Sequence, residues 1–170
     1  NINGVQAYDK EVDALNQHTK ADKVYIVCSK EQLDENGSMK IFSMIDKLSA
    51  ELSVASDNET KKRLLMRRAI AHSVLRDFEA AISDFIYYIS LDDKNSLAYW
   101  QRAVCQAEMD EFNKAEGKGV LNIHSAEADF SDAIRQNSNN AYIYYNRGNL
   151  HAGRNELSKA IDDYTIALRI

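Results

Sequence analysis

The sequence contains no proline among its 170 residues. Proline is frequent in turns and long loops, so its absence favours helices joined by short connections. The two cysteines, Cys28 and Cys105, are too few for a disulfide framework and do not have the spacing of a metal site. No apolar run approaches the roughly 20 residues that a membrane-spanning helix requires. The sequence therefore predicts a helical protein without membrane insertion.

Basic residues are outnumbered by acidic ones. Lys and Arg total 21 against 26 Asp and Glu, which gives a formal net charge of −5. Because nucleic acids and anionic membrane surfaces attract basic surfaces, we expect neither as the main partner. The chain begins at Asn1 without an apolar leader, so we expect a processed or partial chain. Its composition suits the cytoplasm and the periplasm equally.

An internal repeat with a long period is present. Three sets of equivalent residues define it: Arg68, Arg102 and Arg147; Phe78, Phe112 and Leu157; and Asp84, Asp129 and Asp163. In the first two sets the intervals are 34 and then 45 residues, whereas in the third they are 45 and then 34. The two orders agree if the middle repeat carries 11 additional residues between its halves.

Small and aromatic residues recur in the same register. The second halves read Phe78-x2-Ala81-x3-Phe85, Ala126-x3-Phe130-x2-Ala133 and Leu157-x2-Ala160-x3-Tyr164-x2-Ala167. This pattern resembles the tetratricopeptide repeat, a 34-residue helical hairpin, over residues 62 to 170. The third repeat is similar in style to bacterial members of that family. The resemblance implies an all-α fold, a right-handed α-α superhelix whose hairpins stack into one solenoid.

The resemblance also divides the chain. It places the first repeat at residues 61–95, the second at 96–140 with an insertion at 113–125, and a truncated third at 141–170. Apolar residues recur at helical spacing within residues 36–60, which predicts a helix that packs on the first repeat or completes a degenerate one. Ser56-Asp57-Asn58 is expected to cap the next helix, and Asn36-Gly37 to form a turn. Residues 1–35 are predicted to be less regular, with strand and helix both open for Val24–Val27.

The repeated arginine and aspartate suggest a contact within each hairpin. Each arginine lies in the first half of its repeat, and each aspartate lies in the second half. Because the combination recurs in all three repeats, we predict an ion pair between the two helices of each hairpin. The alternative is that the arginines form an anion-binding site.

The resemblance implies that the first helix of each hairpin lines a concave groove that binds a peptide or partner segment. Twelve residues are the expected exposed groove positions: Arg63, Met66, Arg67, Ile70, Leu97, Trp100, Gln101, Val104, Tyr142, Tyr145, Asn146 and Asn149. Aromatic side chains suit an interface, and arginine binds carboxylates. We therefore predict a protein–protein interaction scaffold with a protein or peptide partner.

An alternative function is a structural, self-associating module whose groove is filled by its own N-terminal region. The chain stops at Ile170 without a polar capping helix. We therefore expect either that the protein continues or that another copy covers this end, which would make a homo-oligomer through the solenoid ends.

The histidines do not indicate catalysis. His72 and His151 occupy equivalent slots in different repeats, and His18 and His124 lie outside the regular pattern. No catalytic or metal-binding motif surrounds any of them. We therefore predict that the protein is not an enzyme and has no metal site and no cofactor.

Overall fold

A computed structural model describes residues 35–118 and 125–170, and these residues form seven α-helices without a β-strand. The helices are α1 (Glu35–Val54), α2 (Asn58–Val74), α3 (Phe78–Leu91), α4 (Ser96–Ala115), α5 (Ala126–Gln136), α6 (Ala141–Gly153) and α7 (Leu157–Arg169). Consecutive helices pack as the hairpins α2/α3, α4/α5 and α6/α7. The predicted all-α helical-repeat architecture is confirmed. The predicted irregular segment, including Val24–Val27, lies outside the described residues.

The described helices fall into two compact units that divide between Asp92 and Asp93. In the first unit, α1 packs against α2, and α2 packs against α3. In the second unit, α6 contacts α4 and α5 as well as its hairpin partner α7. No helix in the described ranges is long and apolar enough to span a membrane.

Polar residues at the predicted breaks begin the helices. The side chains of Asp57 and Asn95 each accept a hydrogen bond from the backbone N–H three residues ahead, at 2.7 and 3.1 Å. Asn140 accepts one from the N–H two residues ahead, at 3.0 Å. These caps satisfy N–H groups that have no partner within the helix, and each is worth about 1 kcal/mol. The capping role predicted for the break at Asp57 is therefore confirmed.

The turn predicted at Asn36-Gly37 is wrong, because α1 already begins at Glu35. Gly37 is buried, as are Ile41 and Leu48 on the apolar stripe of the same helix. Local turn preference is a weak signal that packing of an amphipathic helix overrides. The helix predicted in this region is therefore observed, with an earlier start.

The predicted ion pair is present in every hairpin. Nε and Nη2 of each arginine donate to the two carboxylate oxygens, at 2.8 and 2.6 Å in Arg68–Asp84, 2.7 and 2.7 Å in Arg102–Asp129, and 2.8 and 2.7 Å in Arg147–Asp163. All three aspartates are buried. Bidentate, charge-assisted bonds of this kind fix both distance and orientation. The pairs therefore lock the two helices of each hairpin in the same register.

The remaining donor of two arginines reaches the preceding helix. Arg68 Nη1 donates to Ser49 Oγ on α1 at 3.1 Å, and Arg147 Nη1 donates to Ser131 Oγ on α5 at 3.2 Å. The helix α1 therefore contacts α2 through the same arginine–serine hydrogen bond that joins α5 and α6. This relation supports α1 as the second helix of a degenerate repeat.

The turns of the first and third hairpins are built alike. Arg76 and Asn155 both adopt a left-handed conformation, with φ of 61° and 62°. His72 Nδ1 lies 3.5 Å from a carboxylate oxygen of Asp77, five residues later, and His151 Nδ1 lies 2.8 Å from one of Glu156, also five residues later. Both histidines therefore have a structural contact at a hairpin turn.

The insertion changes the middle hairpin. The helix α4 continues to Ala115, beyond the point at which the equivalent helices α2 and α6 end. Phe112 consequently lies within α4 and is 48% exposed, whereas Phe78 is buried at the start of α3. The equivalence of Phe112 with Phe78 and Leu157 is therefore wrong. A count back from Ala126, which aligns with Ala81, gives residue 123 as the position equivalent to Phe78, and that residue lies outside the described part of the chain.

Candidate partner-binding surface

The twelve predicted groove residues differ sharply in exposure. Four are exposed: Arg63, Tyr142, Tyr145 and Asn149. Three are half-buried: Arg67, Leu97 and Asn146. Five are buried: Met66, Ile70, Trp100, Gln101 and Val104. The expectation that all twelve are exposed is wrong for those five. Most of them are large apolar side chains, and burying such a side chain contributes about 1.5–3 kcal/mol.

In the first unit, α2 offers little accessible apolar surface. Met66 is 1% exposed and Ile70 is fully buried. Only Arg63 of the four predicted positions is exposed, with Arg67 half-buried. The apolar members of this set belong to the core rather than to an open surface.

In the second unit, α4 buries its predicted positions as well. Trp100 is 1% exposed and Gln101 is 2% exposed. Trp100 Nε1 and Gln101 Nε2 form no hydrogen bond within residues 35–118 and 125–170. A buried donor without an acceptor costs about 1–3 kcal/mol, which is uncommon in a well-packed core. Both donors therefore lie on a part of α4 that has no hydrogen-bond acceptor for them among the described residues.

The third set of predicted positions forms an accessible surface on α6. Tyr142, Tyr145, Asn146 and Asn149 follow the spacing i, i+3, i+4 and i+7, so they share one side of the helix. Tyr142 is 44% exposed and Tyr145 is 46% exposed. We call these four residues the α6 face. It is the part of the predicted groove that remains accessible in the second unit.

Tyr164 on α7 packs against residues of α6, including Tyr145 of the α6 face. Its ring centroid lies 6.0 Å from that of Tyr145, with a tilt of 42°. Its ring also lies against Gly148, where an added Cβ would come within 2.6 Å of Tyr164 Cε1. Glycine at this position therefore allows the close approach of α6 and α7. The sequence pattern identified Tyr164 as a repeated aromatic position but did not reveal its contact with Tyr145.

The same tyrosine orients an amide of the α6 face. The Tyr164 hydroxyl donates to Asn149 Oδ1 at 2.8 Å. Because that oxygen is engaged, Asn149 presents its NH2 group to other partners. Asn146 Nδ2 is buried and has no hydrogen bond to any described residue. Asn149, which is exposed, therefore offers a donor on this face, whereas the donor of Asn146 is buried.

A charged cluster lies on another side of the same hairpin. Ligand atoms of Glu127, His151 and Glu156 lie within 4.8 Å of one another. Arg154 Nη1 lies 3.2 Å from Glu127, and Lys159 Nζ lies 2.9 Å from Glu156. The hydrogen bonds of Glu156 with Lys159 and with His151 lower its pKa below the usual range. Two cations already neutralise the two glutamates, so the cluster links α5 to the α6/α7 hairpin as an ion-pair network.

The other candidate residues are not brought together. His72 belongs to the first unit and His151 to the second. His18 and His124 lie outside the described residues. Cys105 is buried on α4. The α6 face is therefore the one predicted surface that combines exposed aromatic side chains with an oriented amide in the part of the chain that the structure describes.

The comparisons with known proteins do not identify a family for this chain. A scan against protein-family models found no match, and no curated protein matched the chain. The interpretation of the α6 face therefore depends on the chemistry of its own residues.

Proposed function

We propose that this chain is a tetratricopeptide-type interaction module that binds a protein segment on the α6 face. The observation that carries this proposal is the pair of exposed tyrosines, Tyr142 and Tyr145, on one side of α6. Tyrosine combines a large apolar ring with a polar hydroxyl, and it is enriched at interface positions that dominate binding energy. The role is one of binding rather than catalysis.

The polar groups of the face favour an extended segment as the partner. Asn149, four residues beyond Tyr145 on this face, is exposed and offers an amide donor. An extended peptide leaves its backbone carbonyls free, whereas a helix uses most of its carbonyls internally. The tyrosine rings would hold apolar side chains of the segment, and the Asn149 amide would bind one of its carbonyl oxygens.

The test is affinity capture with the full chain from cells of its source, with Tyr142→Ala/Tyr145→Ala as the variant. Each truncated anchor typically costs at least about 1 kcal/mol, so the double variant should bind at least on the order of tenfold more weakly. The matched control is Ile86→Ala/Tyr87→Ala, which removes two side chains on α3 that are 37% and 43% exposed. Equal capture by the wild-type chain and the α6 variant would contradict the proposal.

A second candidate function is favoured by the burial of Trp100 and Val104. In this alternative, the chain is a structural module, and its own N-terminal region fills the groove side of α4. Trp100 is the only tryptophan, so its fluorescence reports on that side alone. Removal of residues 1–34 should then expose Trp100 to an aqueous quencher while the helical circular dichroism is retained. Quenching that is unchanged by the truncation would exclude this alternative.

A further inference from the structure

The last helix, α7, has an uncovered apolar side. Its exposed large apolar residues Leu157, Ile161 and Leu168 recur at the spacing i, i+4 and i+11, so they lie on one side of the helix. Ile161 is 62% exposed and Leu168 is 88% exposed, whereas Ala160 and Asp163 are buried towards the core. Monomeric proteins rarely expose contiguous apolar surface of this kind, which commonly marks an interaction site.

The exposed side of α7 has the form of a helix-packing surface. Ile161, Thr165 and Leu168 follow the spacing i, i+4 and i+7 and so form one stripe. The helix α1 carries the same pattern at Ile45, Ser49 and Leu52. There the stripe belongs to a helix that packs against α2, and its central hydroxyl accepts a hydrogen bond from that helix. The stripe on α7 therefore has the residue pattern of a helix-packing surface, although no described residue packs against it.

Two exposed charges of opposite sign border this stripe. Asp162 follows Ile161 and Arg169 follows Leu168, so both charges lie on the same side of the stripe. They are seven residues apart, or about 10.5 Å along the helix axis. Neither forms an ion pair with another residue in the described ranges, whereas the neighbouring Lys159 pairs with Glu156 at 2.9 Å.

We propose that α7 pairs antiparallel with α7 of a second copy of this chain, around a two-fold axis between Thr165 and Ile166. The rotation reverses the direction of the second helix, so Asp162 of each copy faces Arg169 of the other. Ile161 and Leu168 are buried along the seam. The helix is self-complementary, since an acidic residue before the midpoint and a basic residue after it form two equivalent ion pairs. This interface uses α7 and does not depend on the proposed binding at the α6 face.

The expected assembly is a reversible dimer. One helix pair buries less than the about 1,600 Å² of a standard protein interface. Sedimentation equilibrium of the full chain over a wide concentration range should therefore show a monomer–dimer transition. Leu168→Glu places a charge in the seam and should weaken association by at least roughly tenfold.

Charge reversal distinguishes this pairing from other forms of association. Asp162→Arg and Arg169→Asp should each weaken the dimer, because like charges then meet twice across the axis. The double reversal should restore it. An equimolar mixture of the two single variants should form a heterodimer, because one copy then carries two arginines and the other carries two aspartates.

The matched control is Arg135→Asp, which makes the same charge change at an exposed side chain on α5 of the same unit. It should leave the dissociation constant unchanged, and circular dichroism should confirm equal helicity in every variant. A chain that is monomeric at all concentrations would overturn the proposal. A dimer that is insensitive to both single reversals, or a mixture of the single variants that fails to associate, would overturn it as well.

Discussion

Arg102 and Asp129 form the most deeply buried ion pair among the three hairpins. Nε and Nη2 of Arg102 each lie 2.7 Å from a different carboxylate oxygen, and the two side chains are 8% and 4% exposed. In the other two hairpins the arginine side chain is 21% or 22% exposed. The middle pair forms although its helices are separated by the insertion. Side-chain chemistry, rather than loop length, therefore sets the register of this hairpin.

Asp129→Ala should destabilise the chain by about 3–5 kcal/mol, because it leaves the guanidinium of Arg102 buried without its counter-charge. Urea unfolding followed by circular dichroism measures this loss. Asp84→Ala should cost less, because Arg68 is more exposed to water. Replacing both Arg102 and Asp129 by methionine and leucine should cost less than Asp129→Ala alone. Unchanged stability of Asp129→Ala would remove the structural role assigned to these pairs.

Gly148→Ala should destabilise the α6/α7 hairpin. The added Cβ would lie 2.6 Å from Tyr164 Cε1, so either the ring or the helix must move, at a cost of about 1–3 kcal/mol. Gly153→Ala is the matched control at the end of the same helix, where an added Cβ meets nothing within 4 Å. That change should be neutral or stabilise the helix by up to about 1 kcal/mol. Equal thermal midpoints for the two variants would contradict the close approach of Tyr164 and Gly148.

The sequence predicted the hairpins and their ion pairs because those features repeat. Arg68, Arg102 and Arg147 recur in register with three aspartates, and this register alone predicts each pair. Helix starts were also readable where a capping side chain such as Asp57 follows an apolar run. Repetition and capping are visible in the sequence itself, so they can be recognised without knowledge of tertiary packing.

Exposure could not be predicted in the same way. Trp100 and Tyr145 occupy equivalent positions, yet Trp100 is 1% exposed and Tyr145 is 46% exposed. Equivalence in a repeat fixes the direction of a side chain from its helix, but the neighbours that cover it differ between repeats. The predicted equivalence of Phe112 with Phe78 and Leu157 is wrong for a related reason. A residue count does not show where added residues lengthen a helix.

Acidic pH should weaken the third hairpin through Glu156. Hydrogen bonds with Lys159 and His151 lower the pKa of Glu156 below its usual value of 4.5. The unfolded chain therefore binds a proton at this site at a higher pH than the folded chain does. The stabilising contribution is complete above the unfolded pKa and is lost as pH falls through the lower, folded pKa.

The measurement is the urea midpoint from about pH 6 to about pH 3, for the wild-type chain and for Glu156→Gln. The variant should lose less stability than the wild type over this range, because its amide does not titrate. Other acidic groups, such as the helix cap Asp57, contribute equally to both curves and cancel in the difference. Two parallel curves would show that the contacts of Glu156 do not stabilise the fold.

Trp100 offers a test of how the core tolerates an unmatched donor. Trp100→Ala should destabilise the chain by about 3–5 kcal/mol, because it leaves a large cavity beside buried neighbours such as Ala103 and Val104. Trp100→Phe retains most of the apolar volume and removes Nε1, which has no acceptor among the described residues. The loss of an unsatisfied donor offsets part of the lost packing, so this variant should cost clearly less. Urea unfolding compares the two. A cost for Trp100→Phe as large as that for Trp100→Ala would mean that Nε1 has an acceptor in solution, and that a polar group completes the surroundings of α4.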